Sequence, residues 1–151
     1  MRPVRSRLPR QQRGAVLVEM AIILPVLTLL LVGIVNMGLL IRDYQVLQNA
    51  AREGARYSAL QINQIARATD PTATTNAIKD RVVTYLQHEK ITSGCDATNV
   101  TIDQAYSYPV TVAGVTVNAT GSKVTVSCAR PMLIGASSVT LVGESVFRNF
   151  W

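Results

Sequence analysis

The pattern of apolar and polar positions divides the chain into three stretches. From Met20 to Ile41 the sequence runs for 22 residues without a charged side chain, and Asn36 is its one strongly polar position. At about 1.5 Å rise per residue the run forms a helix of roughly 33 Å, which matches a bilayer core of about 30 Å. A helix buried in a soluble core is seldom apolar on every side for so long, so the run predicts a membrane span. The helical spacing continues past Arg42. Tyr44, Leu47, Ala51, Ala55, Ala59 and Ile62 recur every three or four residues, which draws a stripe down one face. No strong breaker appears between Pro25 and Pro71. The expectation is one rod from about residue 15 to about residue 66.

Within the outer part of that rod, Ala50, Gly54 and Ser58 recur four apart, with Ala51, Ala55 and Ala59 beside them. Small side chains let another backbone approach closely. The face has two candidate covers, the protein's own sheet or a neighbouring subunit.

A second, shorter helix follows. Thr69 or Asp70 serves as its cap and Pro71 opens its first turn. Ile78, Val82 and Leu86 stand four apart, carrying it to about Lys90 before Gly94 lets the chain turn. His88, near its end, reads as a solvated residue or one paired with the helix dipole. After Cys95 the alphabet changes to Val, Thr, Ile and Tyr. "TNVTIDQAY", "YPVTVAGVTVNA", "SKVTVSCAR" and "SVTLVGESVFRNF" alternate as four strands, separated by Ser107, "TGS" and "PMLIGAS". The fold class is α+β: a long N-terminal transmembrane helix, a short second helix and a small antiparallel sheet packed on the long helix. In the closing "FRNFW", Phe147 continues the alternation of the last strand, which assigns it to the sheet's apolar face rather than to an aromatic contact surface.

Charge sharpens the picture. The formal net charge is +6, but Arg2, Arg5, Arg7, Arg10 and Arg13 all precede the apolar run, and residues 1–14 hold no acid. Five arginines before a span read as a positive-inside signal holding the tail in the cytoplasm. Everything after Ile41 then lies outside. No basic stripe with interleaved aromatics follows, so a nucleic-acid partner is unsupported. A cleavable secretory signal fits less well, because its apolar region is about 7–15 residues and ends at a small-x-small site, whereas Arg42, Asp43 and Tyr44 follow here.

Cys95 and Cys128 fall in the portion placed outside, where an oxidising compartment lets them pair. A bridge would stabilise the fold by roughly 3–4 kcal/mol in the chain-entropy model. Two unrelated buried thiols are the alternative, and zinc would have only His88 as a further ligand. The N-x-T triplets at Asn99 and Asn118 arise easily in Thr-rich strands. No G-x-S-x-G, Walker or H-E-x-x-H pattern occurs. Asp96 and Asp103 sit among turn and strand residues, where solvation explains them. The expectation is no enzyme, no cofactor, no metal and no small-molecule substrate.

One polar residue resists the bulk reading. Glu19 stands at the near edge of the apolar run, where a charge is costly and signals a partner. "RGAVLVE", Arg13 to Glu19, resembles the processing site of type IV pilin-like proteins: Gly14 ends a leader, Ala15 opens the mature chain, and Glu19 is its fifth residue. Arg13 to Ala59 as a whole resembles the TadE-like family, including Pro25 in the apolar run and "AAREGAR" at Ala50 to Arg56. Met20 departs from the aromatic that often follows the glutamate in Flp pilins and pseudopilins.

The resemblance implies a type IV pilin-like fold and a minor pilin or pseudopilin of a tight-adherence (Flp) pilus, serving adhesion and biofilm formation. It implies a leader over 1–14 cut by a prepilin peptidase, a helix over 15–68 that spans the inner membrane at about 20–41 and continues in the periplasm at about 42–66, and a periplasmic helix and β domain over 69–151. Its partners would be the bacterial inner membrane, the prepilin peptidase, other pilins and Tad inner-membrane assembly proteins. Ala50, Ala51, Gly54, Ala55 and Ser58 would serve helix packing and Pro25 a kink. An uncut single-pass anchor displaying a periplasmic binding or scaffold domain is the competing reading.

Overall fold

The computed structural model describes residues 10–133 and 137–149, with side chains from residue 14 onward. Arg2, Arg5 and Arg7 of the leader, the side chains of Arg10 and Arg13, Ile134 to Ala136 of the last loop, and Phe150 and Trp151 of "FRNFW" therefore lie outside what is described. Helix α1 spans Arg10–Ser58, α2 Gln61–Thr69 and α3 Pro71–His88; strands β1 (Val100–Val112), β2 (Val115–Pro131) and β3 (Ser138–Arg148) follow. The chain divides into two compact units, residues 1–38 and residues 39–151.

In the first unit α1 is regular through Pro25. Fifteen large apolar side chains between Val16 and Met37 are exposed, Leu17 and Leu29 at 70 % each. At about 2 kcal/mol per side chain left in water, the segment demands an apolar surround of its own. No part of its most apolar window is buried by protein.

The second unit sets the outer part of α1 and α3 on one face of a three-stranded antiparallel meander, ordered β1-β2-β3, with α2 against α3. Leu47, Ala50, Ala51 and Ala55 of α1, Ile78, Val82 and Leu86 of α3, and Val100, Val124, Val126 and Cys128 of the sheet are buried to within 1 %. Helix α3 runs antiparallel to α1: Arg81 pairs with Glu53 at 2.8 Å, and Arg42 Nη2 donates to the Glu89 carbonyl at 3.4 Å. Asp70 caps α3 by accepting from the Ala73 N–H at 2.8 Å, with Pro71 following as expected. The helix stops at His88 because Lys90 turns left-handed, φ 61°. The Ile91 N–H then reaches back to the Leu86 carbonyl at 2.9 Å, the pattern of a Schellman close.

Two expectations change. The rod does not run to residue 66 or 68. It breaks at Ala59 and Leu60 without glycine or proline, because the side-chain amides of Asn63 and Gln64 donate to the Tyr57 and Ser58 carbonyls. Those carbonyls lose their helical partners at the break, and the amides replace them. The strands number three, not four. Ser107 lies inside β1 and "TGS" inside β2. The turn is instead Ala113–Gly114, between Val112 and Val115, with φ of 50° and 81°. Two consecutive positive φ values define the tight hairpin turn whose twist matches the strands it joins. Asn-Gly would have announced it; Ala-Gly does not.

Candidate processing and assembly segment

Gly14, Ala15 and Glu19 lie on consecutive turns of α1, all exposed. A Cβ placed on Gly14 would meet nothing within 4 Å. Ala15 and Glu19 are four residues apart, so they share a face one turn from each other. Glu19 has no hydrogen-bond or ion-pair partner among the described residues. Six residues on, Pro25 has no N–H to give the Ala21 carbonyl, while Thr28 Oγ1 donates to the Leu24 carbonyl at 2.8 Å. The site is therefore an exposed helix surface carrying an acid with no partner among the described residues, a proline that gives no N–H to the preceding turn, and a glycine.

The small-residue face is resolved differently. Ala50, Ala51, Gly54, Ala55 and Ser58 are all buried inside the chain's own second unit. A Cβ on Gly54 would come within 2.5 Å of Val82 Cγ2 and 3.3 Å of Val124 Cγ1. This face is taken by α3 and the sheet, and it is not a surface for a neighbour. Ser58 also carries a buried polar cluster. Its Oγ accepts from Gln104 Nε2 at 3.0 Å and from the Ser122 hydroxyl, tying the end of α1 to the bulge in β1 between Asp103 and Tyr106.

Cys95 and Cys128 are bonded, with Cα atoms 5.1 Å apart. Beside them, Arg130 Nε donates to Asp43 Oδ2 at 2.7 Å and its Nη1 to the Ser93 carbonyl at 2.9 Å. This bridge, which no sequence pattern announced, fixes the first turn of α1 after the apolar run to the loop the disulfide holds. The exposed acids are structural: the Thr98 hydroxyl and N–H hold the Asp96 carboxyl below its ordinary value, and Asp103 accepts from the Ala105 N–H at 3.0 Å. Glu144, hydrogen-bonded to Lys123, raises that ammonium's pKa. His88 is exposed in the last turn of α3.

Residues 14–56 match the family model for TadE-like proteins. Over that segment, well under half of its length, the chain is similar to TadE-like proteins. The match opens at Gly14, covers the whole apolar run and ends two residues before α1 does. It points to a Tad pilus-related protein, and the long apolar helix fits a single-pass membrane protein of such a system. No curated protein and no solved structure matches the chain. Helices α2 and α3 and the sheet lie outside the TadE-like match.

Proposed function

We propose that the chain is a minor pilin or pseudopilin of a Tad (Flp) pilus system. A prepilin peptidase cuts it after Gly14 on the cytoplasmic side of the inner membrane. Helix α1 then carries it into assembly with other pilins, in support of pilus biogenesis and adhesion, while residues 39–151 stand in the periplasm or on an extracellular filament. One observation carries this reading: the TadE-like match begins at Gly14, and an unpartnered carboxylate, Glu19, follows one turn after Ala15.

Cutting removes five arginines and leaves an α-ammonium on Ala15, mostly charged at neutral pH. Cation and carboxylate are then both badly placed in hydrocarbon. With helices staggered, the glutamate of one subunit meets the new terminus of another, and each offsets the other's desolvation. Gly14 serves the cut as well. The bond to be broken lies within a helix, and glycine lowers the cost of opening a turn by roughly 1 kcal/mol relative to alanine. Pro25 supplies a second weak point, where we place a kink or local loosening between membrane and filament packing.

N-terminal sequencing of protein extracted from membranes tests the reading. A mature chain beginning at Ala15 is expected; one retaining Arg2 to Arg13 during normal operation overturns it and leaves an anchored binding or scaffold protein. Gly14→Val should block the cut. Glu19→Ala should insert normally yet assemble poorly, since it orphans the amine.

A further inference from the structure

The β1–β2 hairpin carries an apolar face that nothing in the described chain covers. Strand β3 pairs with β2 as far as Arg148 opposite Gly121, and the Asn149 N–H still donates to the Thr120 carbonyl at 3.1 Å, so, among the described residues, 107–119 stand beyond it as a two-stranded ribbon. The ribbon sorts its pairs by chemistry. Tyr108 opposite Ala119, Val110 opposite Val117 and Val112 opposite Val115 share one face; Pro109 opposite Asn118 and Thr111 opposite Thr116 share the other. In β2 the buried, helix-facing residues are Ser122, Val124 and Val126, so the valine face points away from the helices. Val112, Val115 and Val117 are 62, 63 and 52 % exposed. A lone two-stranded ribbon is marginal in water, and such sorting has no use on a ribbon wet on both sides.

Charge and area narrow the occupant. Gly143, the partner of Val126, abuts the Leu47 backbone, Val124 abuts Gly54, and Ser122 bonds to Ser58. From Val126 to Ser122 the sheet therefore follows α1 toward Ser58, and the ribbon continues past the end of that helix. Residues 107–122 contain no charged side chain, which disfavours an acidic or basic partner. Val146 beside Gly121 extends the patch, which ends at Tyr106, whose ring lies under the Lys123 ammonium, 4.8 Å from its centroid. The whole amounts to about 500 Å² per copy, near the upper end for the largest patch on a monomer. Two copies together bury about 1,000 Å², where specific interfaces begin. The strand edge is a poorer contact, since a bulge and Pro109 interrupt β1.

We propose that two copies of this chain pack the outer faces of their hairpins together about a two-fold axis. An uncharged surface ribbed by valines can pack against its own copy, and an isologous contact uses the same patch twice. The contact does not depend on the fate of Gly14 and would hold for a cut or an uncut chain.

The test uses the full chain in membranes, with cysteine placed on either side of the ribbon and a short bismaleimide added. Val117→Cys should give a covalent dimer of this chain at least tenfold over Thr116→Cys, which faces the other way. Adding Val112→Lys to Val117→Cys should cut that yield tenfold at an unchanged unfolding midpoint. Equal yields from the two faces would overturn the proposal, as would a Val117→Cys product containing a different protein, or a dimer indifferent to Val112→Lys.

Discussion

Helix α1 passes through two surroundings with one backbone geometry. From Val16 to Met37 fifteen large apolar side chains of the helix are exposed, and Gly33 and Gly38 have open space where a Cβ would stand. Beyond Leu39 the same helix presents Ala50, Ala51 and Ala55 fully buried, and Gly54 has no room for a Cβ. A fluid surround accepts any apolar shape, so composition decides the first stretch. A fixed protein surface at contact distance accepts only shapes that fit, so side-chain size decides the second.

The largest expected difference between the two lies in covalent and ionic restraint. Replacing Cys95 and Cys128 with alanine should lower the stability of residues 39–151 by about 3–4 kcal/mol, read as the urea midpoint of the full chain in detergent. The helical signal of the apolar run should not move. Arg130→Ala comes next, at about 3 kcal/mol, because it leaves Asp43, 7 % exposed, without its cation. Joining it with Asp43→Asn should recover part of the loss. Equal midpoints for wild type and Arg130→Ala would show that the bridge is not what fixes this turn.

A matched pair of glycines then tests size directly. Gly54→Ala should cost about 1–3 kcal/mol, since its methyl must displace Val82 and press on Val124. Gly33→Ala adds the same methyl to the same helix in open space and should cost nothing, gaining up to about 1 kcal/mol of helix propensity instead. Similar costs at both sites would erase the distinction between the two stretches.

How much of this was legible in the sequence follows the same division. The apolar run, the Asp70 and Pro71 start of α3 and the alternation of the strands are written in local residue types, and each reads off directly. The TadE-like resemblance read over Arg13 to Ala59 contains the segment the family model matches, residues 14–56. What stayed hidden depends on partners far along the chain. Nothing local marks Asp43 for Arg130, 87 residues away, or tells whether small residues at Ala50 to Ser58 meet a sheet or a neighbour. The break after Ser58 is carried by two amides that look like ordinary helix surface, and it buries Asn63 while leaving Ile62 73 % exposed. An apolar stripe extrapolated through Ile62 therefore misplaced the end of the rod.

Gly114 separates space from conformation, which the Gly54 and Gly33 pair leaves joined. Like Gly33 it has nothing within 4 Å of a Cβ position, yet its φ is 81°. If room alone governed, Gly114→Ala would be as harmless as Gly33→Ala. The tight turn instead holds this residue where an L side chain meets its own backbone, at about 1–2 kcal/mol. Gly114→Ala should therefore lower the urea midpoint of residues 39–151 by that amount, while Ala113→Gly, relieving φ 50°, should raise it by about 1 kcal/mol. A neutral Gly114→Ala would mean the hairpin tip yields as freely as the apolar helix does. A loss at Gly114→Ala together with a gain at Ala113→Gly would mean that the second unit dictates backbone conformation even where it touches nothing.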